Sequence, residues 1–256
     1  MTAAKRPRLE KRKQATRLRL MESAYALMAT KGFPDVSIQE ITSAADVGFG
    51  TFYTYFASKE SIYDALVEEV LESSGSVVDA ATRHLTDPAE RLSAGIQYTL
   101  LQARSDVLWG KFLSTSLMTP ASAARGLGKF FLRDVLEGLA TKRFEVEDVP
   151  MSVVAIAGTL DAMLRMKSDE LATVLGNLGL QQADDAAKGH GELDLTKRSA
   201  ALVLRILGVP AKESLQLACK PLPPIAGFAR FFDREPGQTP SDASPSPTLA
   251  PSGNKA

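Results

Sequence analysis

The sequence predicts an all-α protein, with an N-terminal three-helix helix-turn-helix domain followed by a larger helical domain. Three observations carry this. Apolar residues recur three and four positions apart along almost every segment, which is the helical period. Segment after segment opens on a capping pattern, as in "SIQE" at 37–40 and "DPAE" at 87–90. Two short apolar segments, 38–45 and about 48–55, meet at the turn Asp46-Val47-Gly48, each too short to be stable alone.

The elements follow in order. From about 15 to 31, Leu20, Ala24, Leu27 and Met28 share one face, and Lys31-Gly32 supplies a cation and a left-handed stop. Ser37 caps the next helix, with Glu40 closing a capping box and Ile38, Ile41 and Ala45 on one side. A short helix then carries Phe52 and Phe56 inward against Ile38 and Ile41, with Val47 plugging the turn. Ser58 caps a helix whose stripe is Ile62, Leu66 and Val70. Asp87-Pro88 and Thr119-Pro120 open two further helices. Long helices are predicted at about 150–178 and 194–207, separated by the polar loop "QQADDAAKGHGE". After Phe232 the chain is rich in Pro and Ser, too poor in apolar residues to order itself. The resulting division is a basic flexible arm at 1–17, a helix-turn-helix domain at 18–70, a helical domain at 71–232 and a disordered tail at 233–256.

Composition sets limits on what the chain does. Apolar residues make up 45% of it and charged residues 23%, as in a folded globular protein. No run of about 20 uncharged apolar residues exists, so no membrane partner is expected. One cysteine, Cys219, precludes an intramolecular disulfide and fits a cytoplasmic location. Formal charge is zero overall, yet residues 1–19 hold eight cations against Glu10 alone. A basic arm beside a helix-turn-helix points to a polyanion, although a solvated terminus has the same composition.

The string "VGFGTFYTYFASKES" at 47–61 sharpens that reading. With Phe52 and Phe56 turned inward, Tyr53, Tyr55, Thr51 and Thr54 face outward with their hydroxyls. A glycine-started helix of this kind can press its N-terminus into a major groove.

The stretch "ESAYALMATKGFPDVSIQEITSAADVGFGTFYTYFASKESIYDALVEEV" resembles the DNA-binding domain of the TetR (tetracycline-repressor-like) family of bacterial regulators. The resemblance covers about residues 18–70. It rests on Gly32-Phe33, Ser37, Ala45-Asp46-Val47, Tyr53 with Phe56, and Ser58-Lys59-Glu60. Two departures stand out. Asp46 replaces the family's turn glycine, and Gly48 replaces the serine that caps the recognition helix. The resemblance implies phosphate contacts for Ser37, Thr51, Tyr53 and Lys59, and base reading by Gln39, Phe49, Gly50, Thr51 and Tyr55. Phe49 serves a thymine methyl or packs on the first helix; both readings stay open. By the same resemblance the protein is a repressor on a palindromic double-stranded operator. The last two long helices then pair in a homodimer, although their small and apolar residues would equally serve an intrachain core.

An enzyme is not expected. The two histidines, His84 and His190, lack metal-ligand spacing, and no nucleotide or nucleophile motif is present. Neither a cofactor nor a metal is implied. A protein-interaction adaptor would leave the basic arm unexplained. Bulky residues in the middle helices, chiefly Tyr98, Trp109, Phe112, Met118, Phe131 and Met163, are candidates to line a pocket for an unknown small hydrophobic effector. Each of them serves as well in the core.

Overall fold

The computed structural model describes residues 5–117, 119, 125–165, 177 and 195–225, and all regular structure among them is helical. Helix α1 (Lys5–Lys31) is longer than the sequence implied. The expected flexible arm is, from Lys5 onward, the first half of this helix. The reason is local: Lys, Arg, Glu, Gln, Leu and Ala are strong helix formers. The hydroxyl of Thr16 donates to the Arg12 carbonyl at 3.1 Å, and Lys13 lies 3.9 Å from Glu10. Residues 9–15 are exposed and burial begins in earnest at Leu20, so the basic half of α1 projects beyond the packed part. The helix stops at Gly32, where φ is +84° and the amide donates to the Met28 carbonyl.

Helices α2 (Ile38–Ala44) and α3 (Phe49–Tyr55) form the helix-turn-helix. Ser37 and Glu40 make the full capping box of α2. Asp46 takes φ +52° in the turn, the left-handed geometry usually given to glycine. Gly48 caps α3 with backbone alone. Helix α4 (Lys59–Leu66), capped by Ser58, passes without a break through a π-helical segment, Val67–Glu72, into α5 (Ser73–Thr82).

The larger domain comprises α6 (Pro88–Ser105), α7 (Val107–Ser116), α8 (Gly126–Ala140), α9 (Val149–Arg165), α10 (Leu195–Ile206) and α11 (Ala211–Ala218). The predicted helices at 150–178 and 194–207 correspond to α9 and α10; apart from residue 177, the rest of the first lies outside the described residues, as do the polar loop and the 233–256 tail.

Two cores organise these helices. The first joins α1, α2, α3 and α4 through Leu20, Met28, Ile41, Phe52, Phe56, Ile62 and Leu66, and it continues into Trp109, Phe112 and Leu113 of α7. The helix-turn-helix head therefore shares one core with the larger domain, and α1 packs directly on α7. The second core sits between α6, α8, α9, α10 and α11, with Leu92, Ile96, Val135, Ile156, Val203 and Leu204 at its centre. Helix α9 is the exception, since Ile156 is its sole fully buried residue.

Candidate nucleic-acid interface and effector cavity

The head presents one polar and aromatic surface at its α2–α3 edge. Gln39, Gly50 and Ser37 are exposed and Thr51 is half-buried. Phe49 and Tyr53 are 53% and 51% exposed, with their rings edge-on at 5.7 Å. Phe49 thus leans on its helical neighbour at i+4 rather than on α1. A Cβ at Gly50 would meet no atom within 4 Å, so the backbone of α3 lies open there.

Two predicted contact residues are placed differently. Tyr55 is half-buried and packs against the first core, because the turn after α3 folds that side of the helix inward. Lys59 turns back onto its own head. Its ammonium donates to the carbonyls of Phe33 at 2.9 Å and Pro34 at 3.1 Å, and stands 4.5 Å from the Phe33 ring centroid. It closes the α1–α2 turn, whose carbonyls would otherwise lack donors.

In the larger domain a cavity of about 170 Å³ lies between the π-segment, α5, α6, α8 and α9. Leu71, Gly75, Leu92, Ile96, Leu113, Leu127, Phe130, Phe131 and Ile156 give it an apolar wall. Arg91, Thr99, Arg133, Asp134 and Asp79 bring polar groups to it. Asp134 is buried on this wall, and its Oδ1 accepts from Arg91 Nε at 3.1 Å, Arg133 Nε at 3.0 Å and Arg133 Nη2 at 2.8 Å. Arg133 also reaches Asp79 at 2.5 Å, and Arg91 also pairs with Glu137. The hydrogen bond from Arg91 holds the Glu137 carboxyl below its ordinary range, and Glu137 in turn raises Arg91. All three arginine contacts fall on Oδ1. Asp134 Oδ2 is left without a donor among the described residues.

Of the six residues predicted to line a pocket, Phe131 lines this cavity. Trp109 and Phe112 do not; they are buried in the first core, where α7 meets α1 and α4. Tyr98 is buried with Val78 and Ala94 in a small cluster, and its hydroxyl donates to the Pro223 carbonyl. Met163 borders a separate cleft, of about 590 Å³, with Leu100, Val107 and Lys111. Met118 lies outside the described residues. The sequence does carry a signal for the missed residues. Arg91, Gly95 and Thr99 repeat at spacing four, a polar and small stripe on a buried helix. Asp134 falls seven residues after Leu127 and three after Phe131, a charge on an otherwise apolar face.

A helix-turn-helix head fused through a shared core to a helical domain with its own cavity defines a two-domain helix-turn-helix regulator. The sequence matches two family models in that order. Residues 20–66 match the model described as bacterial regulatory proteins, tetR family, and residues 87–220 match that of the tetracyclin repressor-like C-terminal domain. The chain belongs to the TetR family of DNA-binding transcriptional regulators. Among solved structures, RolR in complex with the ligand resorcinol is 33% identical; the match covers 84% of this chain and 98% of that one, with a TM-score of 0.55. RolR without ligand is 31% identical over 80% and 97% of the two chains, with a TM-score of 0.54. The HTH-type transcriptional regulator EthR of Mycolicibacterium smegmatis is 29% identical over 79 residues, which are 30% of this chain and 36% of that protein. The chain thus matches well under half the length of that regulator. No described helix is long and apolar enough to cross a membrane.

Proposed function

We propose that the chain is a cytoplasmic, homodimeric repressor, held on a palindromic operator and released when a small hydroxylated aromatic molecule enters the cavity beside Asp134. The cavity carries this reading. About 150 Å³ lined by aliphatic and aromatic side chains is room enough for benzene, so about 170 Å³ suits a one-ring ligand. Asp134 Oδ2 supplies the acceptor that a phenolic hydroxyl needs, and Arg91 and Arg133 fix that carboxylate in place. The resorcinol bound by RolR belongs to the same chemical class.

On the DNA side, Gln39, Phe49, Gly50 and Thr51 are the base-facing set, and Ser37, Thr51 and Tyr53 contact phosphate. The exposed cations of α1 extend the phosphate contacts along a helix instead of a loose arm. A twofold dimer sets two copies of α3 into successive major grooves, about 34–36 Å apart.

Resorcinol is the first probe. Calorimetric titration of the full-length protein is expected to show binding, weakened about tenfold in Asp134→Asn, or about 1.4 kcal/mol. Saturating resorcinol is expected to release the protein from an operator duplex selected from a random pool. Absence of heat with resorcinol and other one-ring phenols overturns the effector class. Binding without release overturns the mode of control.

A further inference from the structure

The cleft of about 590 Å³ that Met163 borders shares no lining residue with the cavity beside Asp134, although α6, α7 and α9 contribute to both. Its walls come from both parts of the molecule. Ala29 and Thr30 belong to the end of α1, and the remaining wall to α6, α7, α9 and α10 of the larger domain. Ala29, Ala103 and Gly110 line it, and a Cβ at Gly110 would stand 3.0 Å from that of Ala103 and 3.1 Å from its carbonyl oxygen. Helices α6 and α7 thus touch there almost backbone to backbone. That close approach requires small residues, and small residues leave the space beside them unfilled.

The charge of this wall is one-sided. Arg104, Lys111 and Arg165 line it, and among the described residues no carboxylate does. Asp161, close by, is already bound by Arg165 Nε, 2.9 Å from each of its oxygens, and by the Ser114 hydroxyl. Lys111 is exposed and makes no ion pair among the described residues. Background composition does not produce this. With eight cations against Glu10 in residues 1–19 and a formal total of zero, the rest of the chain is net acidic. The hydroxyls of the wall are also in use: Thr30 donates to the Ala26 carbonyl at 2.8 Å and Thr115 to that of Phe112 at 3.0 Å. What the wall offers a ligand is positive charge and the apolar surface of Leu100, Val107, Met163 and Leu164. Val107 is 64% exposed, so that surface is open to water.

We infer that this cleft is a second small-molecule site, taking an organic anion with an apolar body at the joint between the head and the larger domain. Pockets for drug-sized ligands run from about 300 to 1,000 Å³, and about 590 Å³ falls inside that range. The guanidinium forks of Arg104 and Arg165 match a carboxylate or sulfonate in shape, and Lys111 adds a compact point charge. A one-ring phenol, proposed for the smaller cavity, is uncharged at neutral pH. The two sites therefore differ in chemistry as well as in place.

Anilinonaphthalene sulfonate is the probe, and phenylnaphthylamine, the same rings without the sulfonate, is its neutral control. In fluorescence titration of the full-length protein the sulfonate is expected to bind about tenfold more tightly than the amine. It is also expected to slow amide hydrogen exchange at residues 27–30 and 107–115. Lys111→Glu should weaken the sulfonate about tenfold and leave the amine unchanged, while Lys212→Glu, the same charge change on α11, should alter neither. Lys111→Met removes the charge and keeps the apolar stem, should Lys111→Glu fail to fold. Four results overturn the second site: no saturable binding of the sulfonate; equal affinity for both probes; a loss in the Lys111 variants no larger than in Lys212→Glu; or protection at 127–134 in place of 27–30, which puts the probe in the cavity beside Asp134. None of these readouts uses resorcinol, so the site stands or falls separately from the proposed effector.

Discussion

Phe112 of α7 meets Tyr25 of α1 edge-on, with ring centroids 5.0 Å apart and planes at 63°, and Tyr63 of α4 packs on Phe112 at 6.1 Å. Three helices, two from the head and one from the larger domain, thus close on one buried ring. The same cluster raises the Tyr25 hydroxyl far above its usual pKa through burial. Trp109, one turn earlier in α7, is buried beside them, and its Nε1 has no hydrogen-bond partner among the described residues.

Phe112→Ala is therefore expected to destabilise the whole protein by about 3–5 kcal/mol rather than to blunt an effector response. Trp109→Phe is expected to cost much less, because it deletes an N–H whose burial is itself unfavourable. Denaturant unfolding followed by circular dichroism checks both. A Phe112→Ala protein of wild-type stability would remove this ring from the joint between the domains.

Acid is expected to loosen the start of α2. Glu40 accepts from Lys31 Nζ at 2.6 Å and from the Ser37 amide at 2.8 Å. The Lys31 hydrogen bond first, and the Ser37 amide second, push the Glu40 pKa down to about 2 from an ordinary 4.5. A carboxyl with a folded pKa below its unfolded one stabilises fully above the unfolded value, and that contribution fades as pH falls toward the folded value. The difference in thermal midpoint between wild type and Glu40→Gln should therefore shrink as pH drops from 4.5 to about 2. A difference that stays constant over that range would show that the ionised carboxylate contributes nothing there.

Positioning and reading separate at Lys59 and Gln39. With the Lys59 ammonium donating to the carbonyls of Phe33 and Pro34, Lys59→Met should lower head stability by about 1–2 kcal/mol. It should also leave the salt slope of DNA binding almost unchanged. A slope shallower by about one unit would instead return Lys59 to the phosphate contacts. Gln39 is exposed at the head surface, so Gln39→Ala should cost about 1–3 kcal/mol at the selected operator and relax preference at one base pair.

What was legible in the sequence was mostly local. The left-handed turn at Asp46, the stop at Gly32, the capping box of Ser37 and the stripe of Ile62, Leu66 and Val70 each depend on residues within four positions. The helical start of α1 was misread because a run of cations has the composition of a loose terminus and of a helix alike. The bulky residues stayed open between pocket and core for a longer-range reason. Bulk marks a side chain as buried without saying against what, and Trp109 and Phe112 are buried against helices some 40 to 90 residues away in the chain. Small and polar residues, Gly95 and Thr99, line the cavity together with Asp134, and a Cβ at Gly95 would meet nothing within 4 Å, so part of its signature is missing bulk.

The dimer face is open to the most direct test. Helix α9 exposes Met151 at 61% and Val154 at 48%, with Ala155 and Gly158 also exposed, and α10 exposes Leu202 at 41%. An apolar helix with one fully buried residue is poorly matched to water, and small residues allow a second helix to approach closely. Leu207, which would have suited the same face, is buried in the second core, so the candidate interface is narrower than the apolar pattern of 194–207 implied. This separates association from folding. Val154→Asp alters an exposed side chain, for which the cost to the monomer is within about 0.5 kcal/mol. At a dimer interface the same change buries an unpaired carboxylate twice, once from each copy of a twofold pair. Sedimentation of Val154→Asp is expected to show monomer where wild type shows dimer, with an unchanged helical circular dichroism spectrum. Affinity for the selected palindrome should fall with it, because each monomer then holds a single half-site. A Val154→Asp protein that remains dimeric and binds the palindrome normally would place the interface on another face.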